Sequence, residues 1–279
     1  MGFTADLRRN LTSSPLGVAV AFPLRAWMVL RASFVFVALG LRWLVTSREF
    51  TNFTYQITDR NRLQFCWFVA NLTGKSLESI QSFMDELQVD HKLDRALREA
   101  ARESGKRFVT DVHPRYARRV AWYALVRAMK PKIVVETGVD KGLGTMVVAA
   151  ALLRNQADGQ PGKCIALDIN PVAGGLICQP WSEVVDLRIG DSLVSLDRID
   201  EAIDLFIHDS DHDYDHEIAE LVRAYSRLAP HGLLLSDASS DSDALSDFAQ
   251  KEGLRYSYLA EEPSGTWMRG QGLGAAFGL

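Results

Sequence analysis

Short runs of apolar, often β-branched residues alternate with helical segments from residue 132 to the end of the chain. Loops rich in Gly, Pro and Asp separate the runs, and the last run, residues 272–277, would form a hairpin with the run before it. This alternation is typical of an α/β domain with a mostly parallel sheet and helices on both faces. The other predicted strands are residues 133–136, 164–169, 184–189, 205–208, 233–236 and 255–259, and the predicted helices are residues 145–154, 216–228 and 241–252.

The chain before residue 105 has a helical pattern instead. Ser76 suits the N-cap of a helix over residues 76–89, where apolar residues recur at spacings of three and four. A charged helix is predicted over residues 91–104, and a third helix begins at Pro114 and stops at Pro131. We therefore predict a helical N-terminal region at residues 1–104 and one α/β domain at residues 105–279.

Residues 16–45 form the most hydrophobic stretch of the sequence. A membrane span needs about 20 consecutive apolar residues, but Arg25, Arg31 and Arg42 divide this stretch into shorter windows. The pattern therefore favours a helix that packs on the α/β domain, as a lid, or on a second subunit, which would make the protein a homo-oligomer such as a dimer. The alternative is peripheral membrane contact, with the tryptophans of this stretch at the lipid interface and its arginines beside anionic lipid.

Composition and charge narrow the class of protein. The chain has 279 residues, of which 47% are hydrophobic and 24% charged, the balance of a globular protein. A net charge of −4 argues against nucleic-acid binding. Three cysteines without a CxxC spacing are typical of a reduced, cytoplasmic protein.

Three glycines follow the first predicted strand of the α/β domain. Gly138, Gly142 and Gly144 stand between that strand and a helix, where glycine lets a ligand approach the backbone. Their spacing, G-x-x-x-G-x-G, is neither a nicotinamide or flavin fingerprint nor a phosphate-binding loop. Glu136 puts a carboxylate where a pyrophosphate would have to lie, so a cationic ligand suits the loop better.

Residues 136–144 resemble the first motif of the class I S-adenosylmethionine (SAM)-dependent methyltransferases, D/E-x-G-x-x-x-G-x-G. Asp168 ends the second strand, as does the family's ribose-binding acidic residue, and Asp191 follows the third strand, like the family's adenine-binding residue. The resemblance covers about 150 residues and implies a Rossmann-like, seven-stranded sheet with SAM as cofactor. It implies that the following residues bind SAM: Glu136, Gly138, Gly142, Gly144, Asp168 and Asp191.

The loop after the fourth strand carries the densest chemistry in the sequence, with four aspartates and three histidines at residues 208–216. Asp209, Asp211, His212 and Tyr214 match an Asp-Gly-Asp-His-Ser-Tyr loop of a small-molecule methyltransferase subgroup. Methyl transfer to a hydroxyl requires removal of a proton, and histidine suits that step near neutral pH. We predict His212 as the base in O-methylation. Asp209 is the second predicted catalytic residue and, like Asp237, would orient the acceptor or Mg²⁺.

The metal-dependent branch of this family would hold Mg²⁺ on Asp209 and Asp237. Its asparagine ligand is replaced here by Ala238, and Ser239 is a poor substitute. Because Mg²⁺ commonly keeps several waters, two carboxylates can still bind it. The sequence therefore leaves two alternatives, with and without Mg²⁺.

Two other functions compete with the methyltransferase. His208, His212 and His216 are spaced by four, as in a zinc-dependent hydrolase, although His208 falls in the strand. The domain could also be a cofactor-binding or structural module without catalysis. For an enzyme, we expect a sugar-like or cyclic small-molecule acceptor, because aromatic residues occur in the segments available for specificity: Phe50, Phe53, Tyr55 and Trp181.

Overall fold

The computed structural model of the chain describes residues 15–49, 54–113 and 115–278. Two compact units make up these residues. Residues 15–47 and 265–267 belong to the small unit, and the large unit contains the other described residues.

One long helix, α1 (Pro15–Thr46), dominates the small unit, and it continues through Pro23. The ring of Trp267 packs edge-on against Phe36 and Trp43, with ring centroids 6.0 and 5.5 Å away. The arginines that divide the apolar sequence do not interrupt the helix. Residues 17–46 have a mean hydropathy of 1.8 and, by length and composition alone, are sufficient to cross a membrane. The described part of the chain contains no other helix that meets this criterion.

A seven-stranded sheet forms the centre of the large unit, in the order β4-β3-β2-β5-β6-β9-β7. Neighbouring strands are parallel except at β9, which pairs antiparallel with both β6 and β7. The predicted Rossmann-like sheet is thus confirmed, including its hairpin-like end. The strands are β2 (Ile133–Thr137), β3 (Lys163–Asp168), β4 (Val185–Ile189), β5 (Ile203–His208), β6 (Leu228–Ser236), β7 (Arg255–Leu259) and β9 (Leu273–Phe277).

Alternating residues of the central strands face two hydrophobic cores. Val134 of β2 belongs to one core, whereas its neighbours Ile133 and Val135 belong to the other. Because successive side chains in a strand point to opposite faces, each face of the sheet needs a layer of helices. The second core is covered by α7 (Ser192–Asp197), α8 (Tyr214–Tyr225) and α9 (Ala244–Glu252), and α6 (Leu143–Ala157) covers the first.

The first core also includes helices from the region that we predicted to be separate. Phe65, Met84 and Leu93 are fully buried in it. The predicted boundary at residue 104 therefore does not divide the compact units, which separate at residue 47 instead. These helices are α2 (Asp59–Thr73), α3 (Leu77–Gln88), α4 (His91–Glu103) and α5 (Arg119–Met129).

The helix starts follow local capping chemistry. Ser76 is the N-cap of α3, as predicted, and its side chain accepts a hydrogen bond from the backbone N–H of Ser79. The predicted start of the third helix, Pro114, lies outside the described residues, and α5 begins at Arg119. A two-stranded sheet that the sequence did not predict joins β1 (Gln56–Ile57) to β8 (Pro263–Ser264).

Candidate active site

The carboxyl ends of β2, β5 and β6 lie side by side at the centre of the sheet. Thr137 of β2 pairs with His208 of β5, which pairs with the last residue of β6. The residues that follow these strands therefore lie at one edge, and they include Gly138, Asp209 and Asp237. Open α/β sheets form their ligand sites at this edge.

The glycine loop passes directly over the chain that follows β5. Gly138 has a φ of 84°, and a Cβ there would overlap the backbone of Asp209. A Cβ on Gly144 would come within 2.6 Å of the Glu136 carboxylate. Gly142 is the N-cap residue of α6. The three glycines thus form the close-packed turn that the motif predicts.

Glu136 supplies a buried carboxylate beside this turn. Its side chain is 1% exposed, and its Oε2 atom has no hydrogen-bond partner among the described residues. Burial raises the pKa of Glu136 to about 8, against the smaller opposing effect of the Arg119 charge. An unpartnered carboxylate oxygen in a buried position favours a cationic ligand.

Asp168 holds the glycine loop in place. Its Oδ2 atom accepts hydrogen bonds from the backbone N–H groups of Val139 and Asp140, both at 2.8 Å. Asp191 is exposed, and its Oδ1 atom caps α7 by accepting from the N–H of Val194 at 3.1 Å. Both residues therefore have structural hydrogen bonds, and their predicted contacts with ribose and adenine stay predictions.

A buried ion-pair cluster lies where β6 ends. The Nε atom of Arg118 donates to Asp237 at 2.7 Å, and its Nη2 atom donates to the other oxygen of the same carboxylate. Its Nη1 atom donates to Glu261 at 2.9 Å. Arg119 donates to Asp209 at the longer distance of 3.3 Å. Each of the two predicted metal-binding aspartates thus already has a guanidinium partner.

The pKa values of the two aspartates shift in opposite directions. Burial and the neighbouring charge of Asp237 raise the pKa of Asp209 well above its usual value. For Asp237, burial acts in the same direction, but the charge of Arg118 outweighs it and lowers the pKa. Asp209 therefore holds its proton more strongly than Asp237 does.

This cluster does not fit a Mg²⁺ ion on Asp209 and Asp237. Magnesium needs ionised oxygen ligands, whereas both oxygens of Asp237 accept from Arg118. Ser239, at the place of the family's asparagine, donates its hydroxyl to the Ser236 carbonyl at 3.0 Å. The buried guanidinium group of Arg118 supplies the positive charge that the metal would bring.

The three histidines of the acidic loop separate into two groups. The Nδ1 atom of His208 lies 2.7 Å from one carboxylate oxygen of Glu220, and the Nε2 atom of His216 lies 3.1 Å from the other. His212 lies apart from His216, with its ring edge-on to His208 at a centroid distance of 5.2 Å. His208, His212 and His216 therefore do not form the three-histidine zinc site that the hydrolase alternative requires.

His212 lines a cavity of about 260 Å³ together with Glu136, Gly138, Gly144 and Asp209. Burial lowers the pKa of His212 below its usual value. The structure thus brings together the predicted base, its predicted aspartate partner and the carboxylate of the first motif. The described lining does not include Gly142, Asp168, Asp191 or Asp237.

Sequence reasoning missed the arginines of this cavity. Arg118 and Arg119 both line it, although their Tyr-Ala-Arg-Arg context resembles an ordinary helix start. Gln271, which follows β8 by seven residues, lines it as well and accepts from Arg118 at 3.1 Å. Only the antiparallel return of β9 brings this residue to the site, so the local sequence holds no signal for it.

Comparison with known proteins agrees with the fold. A family model described as a methyltransferase domain matches residues 135–239. A Klebsiella pneumoniae protein provisionally assigned as an O-methyltransferase has a TM-score of 0.50 at 20% identity, over 67% of this chain and 90% of its own. The O-methyltransferase TomG of Streptomyces achromogenes, involved in tomaymycin synthesis and solved with SAM, has a TM-score of 0.51 at 16% identity, over 66% and 89%.

No curated protein matches the sequence. The family match identifies residues 135–239 as a methyltransferase domain. The sheet order and the two solved structures show that the large unit has the fold of the class I SAM-dependent methyltransferases.

Proposed function

We propose that this methyltransferase transfers the methyl group of SAM to a hydroxyl of a small-molecule acceptor. One observation carries the proposal: Glu136, Asp209 and His212 line the same cavity at the carboxyl edge of the sheet. They provide, in order, an anionic group for the cofactor, a hydroxyl-orienting group and a base. A non-catalytic cofactor-binding module would not need the last two.

The residues at the glycine loop suit the amino-acid end of SAM. The unpartnered oxygen of Glu136 can accept from the α-ammonium group, and the absence of side chains at Gly138 and Gly144 leaves the cavity wall open there. When bound, SAM supplies an electrophilic methyl group on its sulfonium sulfur. The leaving group of the transfer is a neutral thioether.

His212 is the proposed base. The acceptor O–H gives its proton to Nε2 of the imidazole while the oxygen forms a bond to the methyl carbon. The electron pair of the broken carbon–sulfur bond stays on sulfur, so charge and atoms balance. Asp209 orients the acceptor hydroxyl, and Arg119 donates to the Asp209 side chain at 3.3 Å.

A sugar-like acceptor fits the cavity better than an aromatic ring. Thr54, Ser210 and Gln271 line it with hydroxyl and amide groups, which suit a ligand with several hydroxyls. Tyr55 and Trp181 are buried and do not line the cavity, although the Tyr55 hydroxyl accepts from Arg118 at 3.3 Å. Phe50 and Phe53 lie outside the described residues.

The test is turnover of SAM with a panel of hydroxylated acceptors, read as formation of S-adenosylhomocysteine and of the methylated product. His212→Ala should bind SAM as the wild type does and lose methyl transfer. A wild-type chain that binds SAM but methylates none of a broad sugar and polyketide panel would favour the non-catalytic module. Unchanged turnover in His212→Ala would remove the base assignment.

We also propose that α1 embeds in a lipid bilayer. Trp27, Met28, Val29 and Leu30 are consecutive and each more than half exposed, so apolar groups surround the helix instead of forming one face. Charged side chains at Arg25, Arg31 and Arg42 can extend toward the interface. The predicted cytoplasmic location of the large unit and the predicted dimer stay predictions.

Vesicle flotation tests this membrane proposal. The full chain should float with phosphatidylcholine vesicles and resist extraction by high salt, whereas Leu30→Glu combined with Phe34→Glu should stay at the bottom. Release by salt alone would indicate the peripheral contact that the sequence leaves as an alternative. Failure to float at any lipid concentration would contradict both.

A further inference from the structure

A second cluster of ligating groups lies behind the proposed active site. His208, at the end of β5, meets His212 of the following loop and Glu217 of α8. One ligand atom from each residue lies within 4.8 Å of the other two. The methyltransferase chemistry proposed above uses neither His208 nor Glu217.

These ligand atoms are buried and unpartnered. His208 and Glu217 are both 0% exposed. Among the described residues, no hydrogen-bond partner exists for Nε2 of His208, Nδ1 of His212 or either oxygen of Glu217. His208 Nε2 and the closer Glu217 oxygen are 3.8 Å apart, which is too long for a hydrogen bond. A buried carboxylate without a partner is costly, so the arrangement calls for a cation between these groups.

The surroundings of His208 match those of a metal-binding histidine. Its Nδ1 atom contacts Glu220 at 2.7 Å, which fixes the ring orientation and leaves Nε2 facing the cluster. Glu220 also accepts from Thr137 at 2.6 Å and from Ser210 at 3.0 Å.

We propose that His208 Nε2, His212 Nδ1 and the Glu217 carboxylate bind one divalent transition-metal ion, with Zn²⁺ as the best match. Two imidazole nitrogens and one carboxylate suit zinc, cobalt or nickel, whereas Mg²⁺ prefers oxygen ligands. Zinc bonds to such ligands are about 2.0–2.2 Å long, so small side-chain rotations bring the three atoms into place. Water completes the tetrahedral set.

Metal binding has a consequence that rests on the proposed function. An imidazole bound to metal through Nδ1 keeps its proton on Nε2 and cannot accept another from the acceptor. His212 therefore serves either the metal or the methyl acceptor, and the metal-loaded chain should transfer methyl more slowly. The site itself is tested without any reference to turnover.

The experiment uses the tag-free full chain, treated with a chelator and then dialysed. Titration with Zn²⁺ should show one bound equivalent, and Co²⁺ should give the intense visible absorption of a tetrahedral site. Glu217→Gln should weaken Zn²⁺ binding at least roughly 100-fold and abolish the Co²⁺ bands. Glu220→Gln, which keeps all three ligands but changes the partner of His208 Nδ1, should weaken binding roughly 10–100-fold.

His231→Ala is the matched control, because His231 is exposed and lies near the start of β6, whereas His208 pairs with the last residue of that strand. This variant should bind Zn²⁺ as the wild type does. A wild-type chain without stoichiometric Zn²⁺ or Co²⁺ binding would overturn the proposal without recourse to any variant. Unchanged binding in Glu217→Gln would do the same. Zn²⁺ bound by a chain that methylates nothing would support the site and contradict only the proposed function.

Discussion

Arg118 donates to both carboxylate oxygens of Asp237, and the two side chains are only 3% and 0% exposed. The same guanidinium group donates to Glu261, also with a side-chain exposure of 0%. One arginine thus joins the end of β6 to the segment after β7. Charges this deeply buried are stable only with complementary partners, so the cluster fixes the geometry of the cavity wall.

Arg118→Met should destabilise the large unit by about 3–5 kcal/mol, because it leaves two buried carboxylates without a cation. Denaturant unfolding measures this change. Adding Asp237→Asn should recover part of the loss, since it removes one of the two uncompensated charges. Arg60→Gln, which breaks an exposed ion pair with Glu262, is the control and should leave unfolding unchanged. Equal stability of wild type and Arg118→Met would show that the pairing is not structural.

Methyl transfer should not require magnesium. The positive charge at Asp237 comes from Arg118, so neither Mg²⁺ addition nor EDTA treatment should lower the turnover of the full chain. The measurement compares initial rates with saturating SAM and one accepted substrate. A rate that falls in EDTA and returns with Mg²⁺, but not with Zn²⁺, would mean that the aspartates open to bind the metal.

SAM binding should release a proton near neutral pH. The pKa of Glu136 is about 8 in the ligand-free chain because the group is buried, and an adjacent ammonium group favours its ionised form. The affinity for SAM should therefore fall as the pH drops below 8, and Glu136→Gln should weaken it roughly 10–100-fold, the value of a charged hydrogen bond.

Calorimetry in two buffers with different ionisation enthalpies measures the proton. The wild type should give different heats in the two buffers, and Glu136→Gln the same heat in both. Identical heats for the wild type would mean that Glu136 is ionised before SAM binds.

The sequence predicted the sheet well because its strands are short apolar runs separated by Gly, Pro and Asp. It also placed Glu136, Asp209 and His212 together, since residues that follow parallel strands meet at one edge. It could not predict that Arg118 would neutralise Asp237, because that contact joins residues 119 positions apart. Glu217 is close to His208 and His212 in sequence, but it enters the histidine cluster only because α8 packs beside β5, which the spacing of the residues does not reveal.

The rate of methyl transfer should rise with pH through a pKa below 6.5, the usual value for histidine. Burial, assisted by the charge of His208, lowers the pKa of His212, so its neutral form persists to lower pH than in an exposed histidine. His212→Gln should lower kcat roughly 10²–10⁴-fold and remove this acid limb. His231→Gln should keep both the rate and the limb. An acid limb that survives in His212→Gln would assign it to another group.

Gly138 and Gly159 form a natural pair for separating steric overlap from backbone strain. Their φ angles are 84° and 79°, but a Cβ on Gly138 would overlap the Asp209 backbone, whereas one on Gly159 would meet nothing within 4 Å. Gly159→Ala should therefore cost only the left-handed conformation, about 1–2 kcal/mol. Gly138→Ala should destabilise the chain further and, by displacing the Asp209 backbone, weaken SAM binding and slow methyl transfer. Denaturant unfolding and SAM titration of both variants provide the comparison. Equal losses in the two would mean that the chain after β5 moves freely, and that its close contact with the glycine loop does not shape the cavity.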